Sequence, residues 1–274
     1  MRTLFPLLLL LLQCASVTAA PRVVTSIAPL HEITSAIMEG VAEPEVIIES
    51  HASAHHFAFR PSHMRRLQEA DLVIWIDRNF EAGFNRVPHV LPEDVNQLEI
   101  LPELGVSGGD GHIWYSPELV IRSIEIITDR LLQIDPAHRE RYRANALQLS
   151  SAVADWRNAT AQLLHEYQPR FITDHAFTGR FEADLDYPAL ATIHDQHDGH
   201  SGLGELNEIE NLLRQQPAGC LLTLEPAPSP LALELAQKYE LQVLKLSPTQ
   251  DAASGNAGIV ERLQIFSSAL KTCG

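Results

Sequence analysis

Short apolar runs alternate with amphipathic stretches along most of the chain. Val23-Val24-Thr25-Ser26-Ile27 is a β-branched run that predicts a strand, followed by a helical stretch from Leu30 to Met38 that Gly40 ends. Val46-Ile47-Ile48 predicts the next strand, and Arg60-Pro61-Ser62 opens a helix, Pro61 suiting a first turn where no N–H partner is needed. Leu72-Val73-Ile74-Trp75-Ile76 reads as a strand buried on both faces, and Leu98–Ile100 as a short edge strand. Past Ser116-Pro117-Glu118 the period changes, and helix continues to Tyr167 with a restart at Asp135-Pro136. Tyr142, Ala146, Leu149, Val153, Trp156, Thr160 and Leu163 step by threes and fours, which puts them on one helical face. A helix of roughly 30 residues would reach about 45 Å at 1.5 Å per residue, enough to run the length of a molecule.

Strand-helix alternation then resumes. Phe171–Thr173, Leu190–Ile193, Cys220–Leu224 and Leu241–Leu246 predict strands. Gly204–Gln215, Pro230–Tyr239 and Ile259–Leu270 predict helices. Such alternation is the mark of parallel sheets, so the expected fold is α/β, with two parallel-sheet lobes joined by one long, rigid linking helix. The expected divisions are an N-terminal lobe over 20–116, a linking helical segment over 117–167 and a C-terminal lobe over 168–274.

Residues 1–19 have a different character. Arg2, the apolar run Leu4 to Leu12 and the small residues Ala15 to Ala20 have the layout of a cleavable secretory signal peptide, cut after Ala19. The run is short of the roughly 20 residues a membrane helix needs. Gln13 stands where a lipid-attachment site before Cys14 requires a small residue, so the expectation is a soluble, exported chain without a lipid anchor, resident in the periplasm. Removal of the leader leaves Cys220 and Cys273, and an even pair in an exported protein reads as one disulfide. A formal net charge of −15 argues against nucleic acid or an anionic membrane surface as partner and is compatible with a cationic ligand.

With 13 histidines in the chain, only their positions carry information. His55 lies between a strand and the Pro61 helix, His112 just before the Ser116-Pro117 helix start, His175 after Phe171–Thr173, and Glu225 after Cys220–Leu224. Open α/β sheets bind ligands beyond the carboxyl ends of their strands. Three imidazoles and a carboxylate, two from each lobe, suit a tetrahedral zinc ion in an inter-lobe cleft. The ligands are too far apart for a local spacing rule, and taken alone each reads more readily as structural: His55 as an exposed loop residue, His112 as a helix-entry residue, His175 as a satisfied buried histidine and Glu225 as a strand-end charge. A second cluster, His194-Asp195-Gln196-His197-Asp198-Gly199-His200, places His194, His197 and His200 in a loop that could form a secondary metal site, the alternative being a solvated loop. His51 and His56 could join a secondary site near the first ligand.

Ser53-Ala54-His55-His56-Phe57-Ala58-Phe59-Arg60-Pro61-Ser62 and its continuation Leu67 to Trp75 resemble the first ligand segment of zinc-type solute-binding proteins of ABC transporters. His112-Ile113-Trp114-Tyr115-Ser116-Pro117-Glu118 is similar to the second segment, His175 with Gly179 and Phe181 to the third, and Leu224-Glu225-Pro226 to the acidic turn of the second lobe. Cys220 and Cys273 match the disulfide of the zinc branch. The resemblance spans the mature chain and implies transported Zn2+, the ligand set His55, His112, His175 and Glu225 with water as an alternative fourth ligand, a permease partner in the membrane, a monomer and no catalysis. The chain departs from the family in Gly111, where many members have proline, and in Asp174, which precedes His175 where members place an acid after it. Manganese-type relatives carry an Asp-Pro pair near the last strand where this chain has Ser247-Pro248, which favours zinc. A manganese or iron carrier, and a secreted zinc hydrolase, are the competing readings.

Overall fold

The computed structural model describes residues 19–48, 54, 57–106, 110–194, 203–224, 228–246 and 257–274. The first lobe opens with β1 (Val23–Thr25), α1 (Ala28–Met38), β2 (Glu45–Val46), α2 (Pro61–Gln68) and β3 (Leu72–Trp75). A 3₁₀ stretch over Ala82–His89, β4 (Asn96–Glu99) and α3 (Ile100–Glu103) complete it. A short 3₁₀ turn, Ile113–Tyr115, leads into α4 (Pro117–Ile134) and α5 (Arg139–Tyr167). The second lobe follows as β5 (Phe171–His175), α6 (Gly179–Leu185), β6 (Ala191–His194), α7 (Leu203–Gln215), β7 (Cys220–Leu224), α8 (Pro230–Lys238), β8 (Gln242–Leu246) and α9 (Ala257–Thr272).

Each lobe carries one four-stranded sheet, in the order β2-β1-β3-β4 and β6-β5-β7-β8, with every pairing parallel. The strand-helix alternation of the sequence is therefore the alternation of the fold. Ile100, expected to end a strand, is the first residue of α3, because its neighbour Leu101 donates its amide to Ile76 O (3.0 Å) and turns the chain off the sheet edge. The sequence pattern did not foresee α6 or the 3₁₀ stretch at 82–89, both too short for a periodicity to show.

Helix starts follow ordinary capping chemistry. Ser116 Oγ accepts from the Leu119 amide (3.2 Å) with Pro117 next in line, and Ser229 Oγ accepts from Ala232 (3.1 Å) ahead of Pro230. α5 ends where Gln168 adopts φ 45°, its amide bonding Leu164 O at 3.1 Å. Its 29 residues span about 43 Å. The buried face is Tyr142, Asn145, Leu149, Val153, Trp156, Thr160 and Leu164, which differs from the expected face in Asn145 for Ala146 and Leu164 for Leu163. Asn145 replaces Ala146 there because its amide group donates to Ile37 O and Glu39 O (both 2.9 Å), satisfying the carbonyls at the end of α1.

The two lobes share one core. In β5 and β7, Phe171, Cys220 and Leu222 face a cluster that also holds Val24, Ile33, Ile74 and Ile113 of the first lobe. The alternate positions Ile172 and Leu221 face a separate cluster with Ile209 and Leu213 of α7 and Leu235 of α8. Helix α9 lies against α1 and α5, its Ile259, Leu263, Phe266 and Leu270 fully buried. Within that contact Arg262 forms a two-pronged ion pair with Glu32 of α1, Nε to Oε2 at 2.9 Å and the second nitrogen to Oε1, both residues almost wholly buried. Cys220 and Cys273 form the disulfide read from the cysteine count, with Cα atoms 5.1 Å apart. It ties the start of β7 to the end of α9 across 53 residues, a closure worth on the order of 4 kcal/mol in the chain-entropy model.

Candidate metal centre

His112 arrives at the mouth of α4 through a turn built for it. The Asp110 carboxylate accepts from the His112 backbone amide at 2.9 Å and from ring Nδ1 at 2.7 Å, through the same Oδ1. Burial alone would raise the Asp110 pKa, but the hydrogen bonds from His112, with the electrostatic pull of His112 and Arg180, outweigh it and hold the pKa below the usual carboxylate range. A charged acceptor at Nδ1 makes that nitrogen the protonated one and leaves Nε2 with the lone pair a metal needs. Gly111 has a steric reason: a Cβ there would stand 2.3 Å from the Phe80 ring, so neither alanine nor the family's proline fits this turn without displacing Phe80. Phe80 in turn packs edge-on to the His112 ring at 5.2 Å.

The second lobe brings His175 to the same place. It ends β5, and its carbonyl accepts from Phe177 at 2.9 Å, folding the chain back over the strand end. The His112 and His175 ring centres are 5.8 Å apart, with Phe177 5.2 Å from His175 and 6.2 Å from His112, and Trp114 5.1 Å from His112. Two imidazoles sharing a tetrahedral zinc at about 2.0–2.1 Å would have ring centres roughly 5 Å apart. The observed pair needs only a small adjustment to share an ion, with the rings of Phe80, Trp114 and Phe177 packed beside it.

Asp174 and His175 are neighbours at the end of β5, and the strand separates them. Successive β residues point to opposite faces, and Asp174 accepts from the Ser229 amide (2.8 Å), the Ser229 hydroxyl (2.7 Å) and Thr223 Oγ1 (3.2 Å). It is thus committed to holding the start of α8. His194, the register partner of His175 on β6, nonetheless reaches this group at the strand ends, its Nε2 3.3 Å from Ser229 Oγ and 4.0 Å from the Asp174 carboxylate. His55, Glu225, His197 and His200, with His51, His56 and the leader, lie outside the described residues. Among the described residues no three His, Cys, Asp or Glu side chains converge in metal-holding geometry, and no helix is long and apolar enough to cross a membrane.

Two further residues belong to the site. Asp184 of α6 accepts from Ser116 Oγ (2.8 Å) and the Glu118 amide (2.7 Å), so the second lobe holds the start of α4 directly behind the His112 turn. Asp77 accepts from the Asn79 and Phe80 amides (3.0 and 2.7 Å), shaping the turn that delivers Phe80. Asp110 stands in the Asp-x-His spacing of residues 110–112, and that was the one signal in the sequence that could have marked it.

Glu81, next to Phe80, is fully buried, and burial raises its carboxyl to about 8 despite the hydrogen bond it accepts from the Ile76 amide (2.7 Å). The folded state therefore holds a proton on Glu81 that the unfolded chain releases near the ordinary value of 4.5. Stability from this group is complete below the unfolded value and is lost as pH rises toward 8, by about 1.4 kcal/mol per pH unit. Glu81→Gln, which cannot ionise, is expected to flatten that decline. Urea titrations of parent and variant at pH 5.5 and 8.5 would show it, and equal pH dependence in the two proteins would contradict it.

Two parallel-sheet lobes around a shared core, with a histidine from each meeting between them, define a two-lobed solute-binding protein of the metal-binding kind. The chain belongs to the family described as zinc-uptake complex component A, periplasmic (ZnuA), whose profile matches residues 23–273. A curated relative, the high-affinity zinc uptake system protein ZnuA of Haemophilus ducreyi, is 27% identical over 261 residues, covering 82% of this chain and 84% of the relative. In fold, the chain is similar to a mutant of the laminin-binding adhesin Lmb of Streptococcus agalactiae (TM-score 0.81, 21% identity, 93% of this chain and 100% of that one). It is also similar to the solute-binding protein FpvC of Pseudomonas aeruginosa in complex with Mn2+ (TM-score 0.77, 16% identity, 92% and 98%). The family is that of the metal-binding component of an ABC transporter.

Proposed function

We propose that this protein captures Zn2+ outside the cytoplasm and delivers it to the permease of an ABC transporter. In this reading His55 and His112 from the first lobe and His175 from the second hold the ion, and Glu225 or a water completes the tetrahedron. The observation that carries it is the approach of His112 and His175 from opposite lobes to 5.8 Å, with His112 Nδ1 already engaged by a carboxylate. The shared core and the buried Glu32–Arg262 pair oppose a wide hinge motion, so release proceeds through small shifts of the ligand-bearing turns.

FpvC was solved with Mn2+, which makes manganese the second reading, although the chemistry of the donor set opposes it. Imidazole-rich shells suit zinc, and carboxylate-rich ones suit manganese. Metal-stripped mature protein dialysed against equimolar zinc and manganese is expected to retain one equivalent of zinc and no manganese by elemental analysis. Retention of manganese in preference to zinc would replace the zinc assignment with the manganese one.

A further inference from the structure

We infer that Asp110 is a positioning residue for metal capture, fixing the tautomer and orientation of His112 where the two lobes press together. The inference rests on the zinc site proposed above and adds a residue to it. Oδ1 of Asp110 takes both the ring Nδ1 and the backbone amide of His112, at 2.7 and 2.9 Å, so one oxygen pins the ring and the turn together. Oδ2 is buried and, among the described residues, has no hydrogen-bond partner. It faces Gly179, the first residue of α6, where a Cβ would come to 3.3 Å of it. Arg180, the next residue, donates Nε to the Asp110 carbonyl at 3.1 Å.

Both hydrogen bonds that the described residues give this carboxylate come from His112, one from its ring and one from its backbone. The arrangement makes sense when the carboxylate serves the imidazole. A metal-binding histidine that donates its other ring N–H to a carboxylate has a fixed tautomer and a more basic donor nitrogen, and loss of such a partner weakens metal binding by about 10- to 100-fold. Gly179, which faces Oδ2, and Arg180, which bonds the Asp110 carbonyl, belong to the lobe that also supplies His175. Asp110 therefore orients the first-lobe ligand in register with the approach of the second-lobe one.

The test uses the metal-stripped mature protein, nitrogen-15-labelled at histidine, beside Asp110→Asn and His112→Ala. In the parent, the His112 resonance is expected to show protonated Nδ1 and bare Nε2, and the opposite tautomer would overturn the inference without recourse to any variant. Asp110→Asn is expected to keep the parent's thermal midpoint, to shift or lose the His112 Nδ1–H signal, and to raise the zinc dissociation constant by about 10- to 100-fold. Parent-like zinc affinity and an unchanged His112 signal in Asp110→Asn would overturn the role of Asp110 while leaving the zinc site standing. Parent-like affinity in His112→Ala would instead remove the zinc site on which the inference rests.

Discussion

Arg262→Met is expected to destabilise the protein by about 3–5 kcal/mol, the cost of leaving one member of a buried ion pair without its partner. Glu32 and Arg262 are 2% and 6% exposed, so water reaches neither charge. With the guanidinium gone, the Glu32 carboxylate would sit against α9 and Tyr115, whose own hydroxyl burial already pushes up to about 12. The thermal midpoint should fall by roughly 6–20 °C for a chain of this size. The double variant Glu32→Leu/Arg262→Met should recover most of the loss, because apolar replacement of both partners removes the desolvation penalty along with the attraction. Urea denaturation of the three proteins at neutral pH measures all of this. A single variant as stable as the parent would mean that the α1–α9 contact is held by its apolar side chains alone.

That pair also shows where reading the sequence stops. Its members are 230 positions apart, and nothing local to Glu32 or Arg262 marks either as buried. The strands were legible because runs such as Leu72 to Ile76 and Cys220 to Leu224 are apolar on both faces, and the 29-residue α5 because its period persists over eight turns. The disulfide followed from a count of two. The shared core was not legible: the alternation in β5 and β7 shows two buried faces, but not that one of them belongs jointly to the first lobe. At the site, position after a strand or before a capped helix singled out His112 and His175, while their meeting is a tertiary fact that the family resemblance anticipated. The facing of Asp174 was not legible either: in the structure it turns onto Ser229, away from its neighbour His175. Gly111 read as a departure from the family until the Phe80 ring was seen in the place of its missing side chain.

Loss of His112 should have the largest effect on binding. It is 2% exposed, its Nδ1 is committed to Asp110, and Phe80 and Trp114 fix the plane of its ring. Alanine there removes a proposed ligand and opens a space that water can fill only without the same preorganisation. Since the loss of an outer-shell partner alone costs about 10- to 100-fold in metal affinity, loss of the ligand itself should cost on the order of 100-fold or more. In free energy that is about 2.7 kcal/mol or above. The stability of the metal-free protein should change much less, because the ring's carboxylate partner stays at the edge of the cleft, where water can reach it once the ring is gone.

The most direct test of zinc capture between the lobes is a calorimetric zinc titration of the metal-stripped mature protein beside His112→Ala. One tight equivalent in the parent, weakened at least about 100-fold in the variant, is the predicted result. Equally tight binding in both proteins would place the zinc elsewhere, with the histidines at 194–200 the next place to look, and would contradict the inter-lobe site.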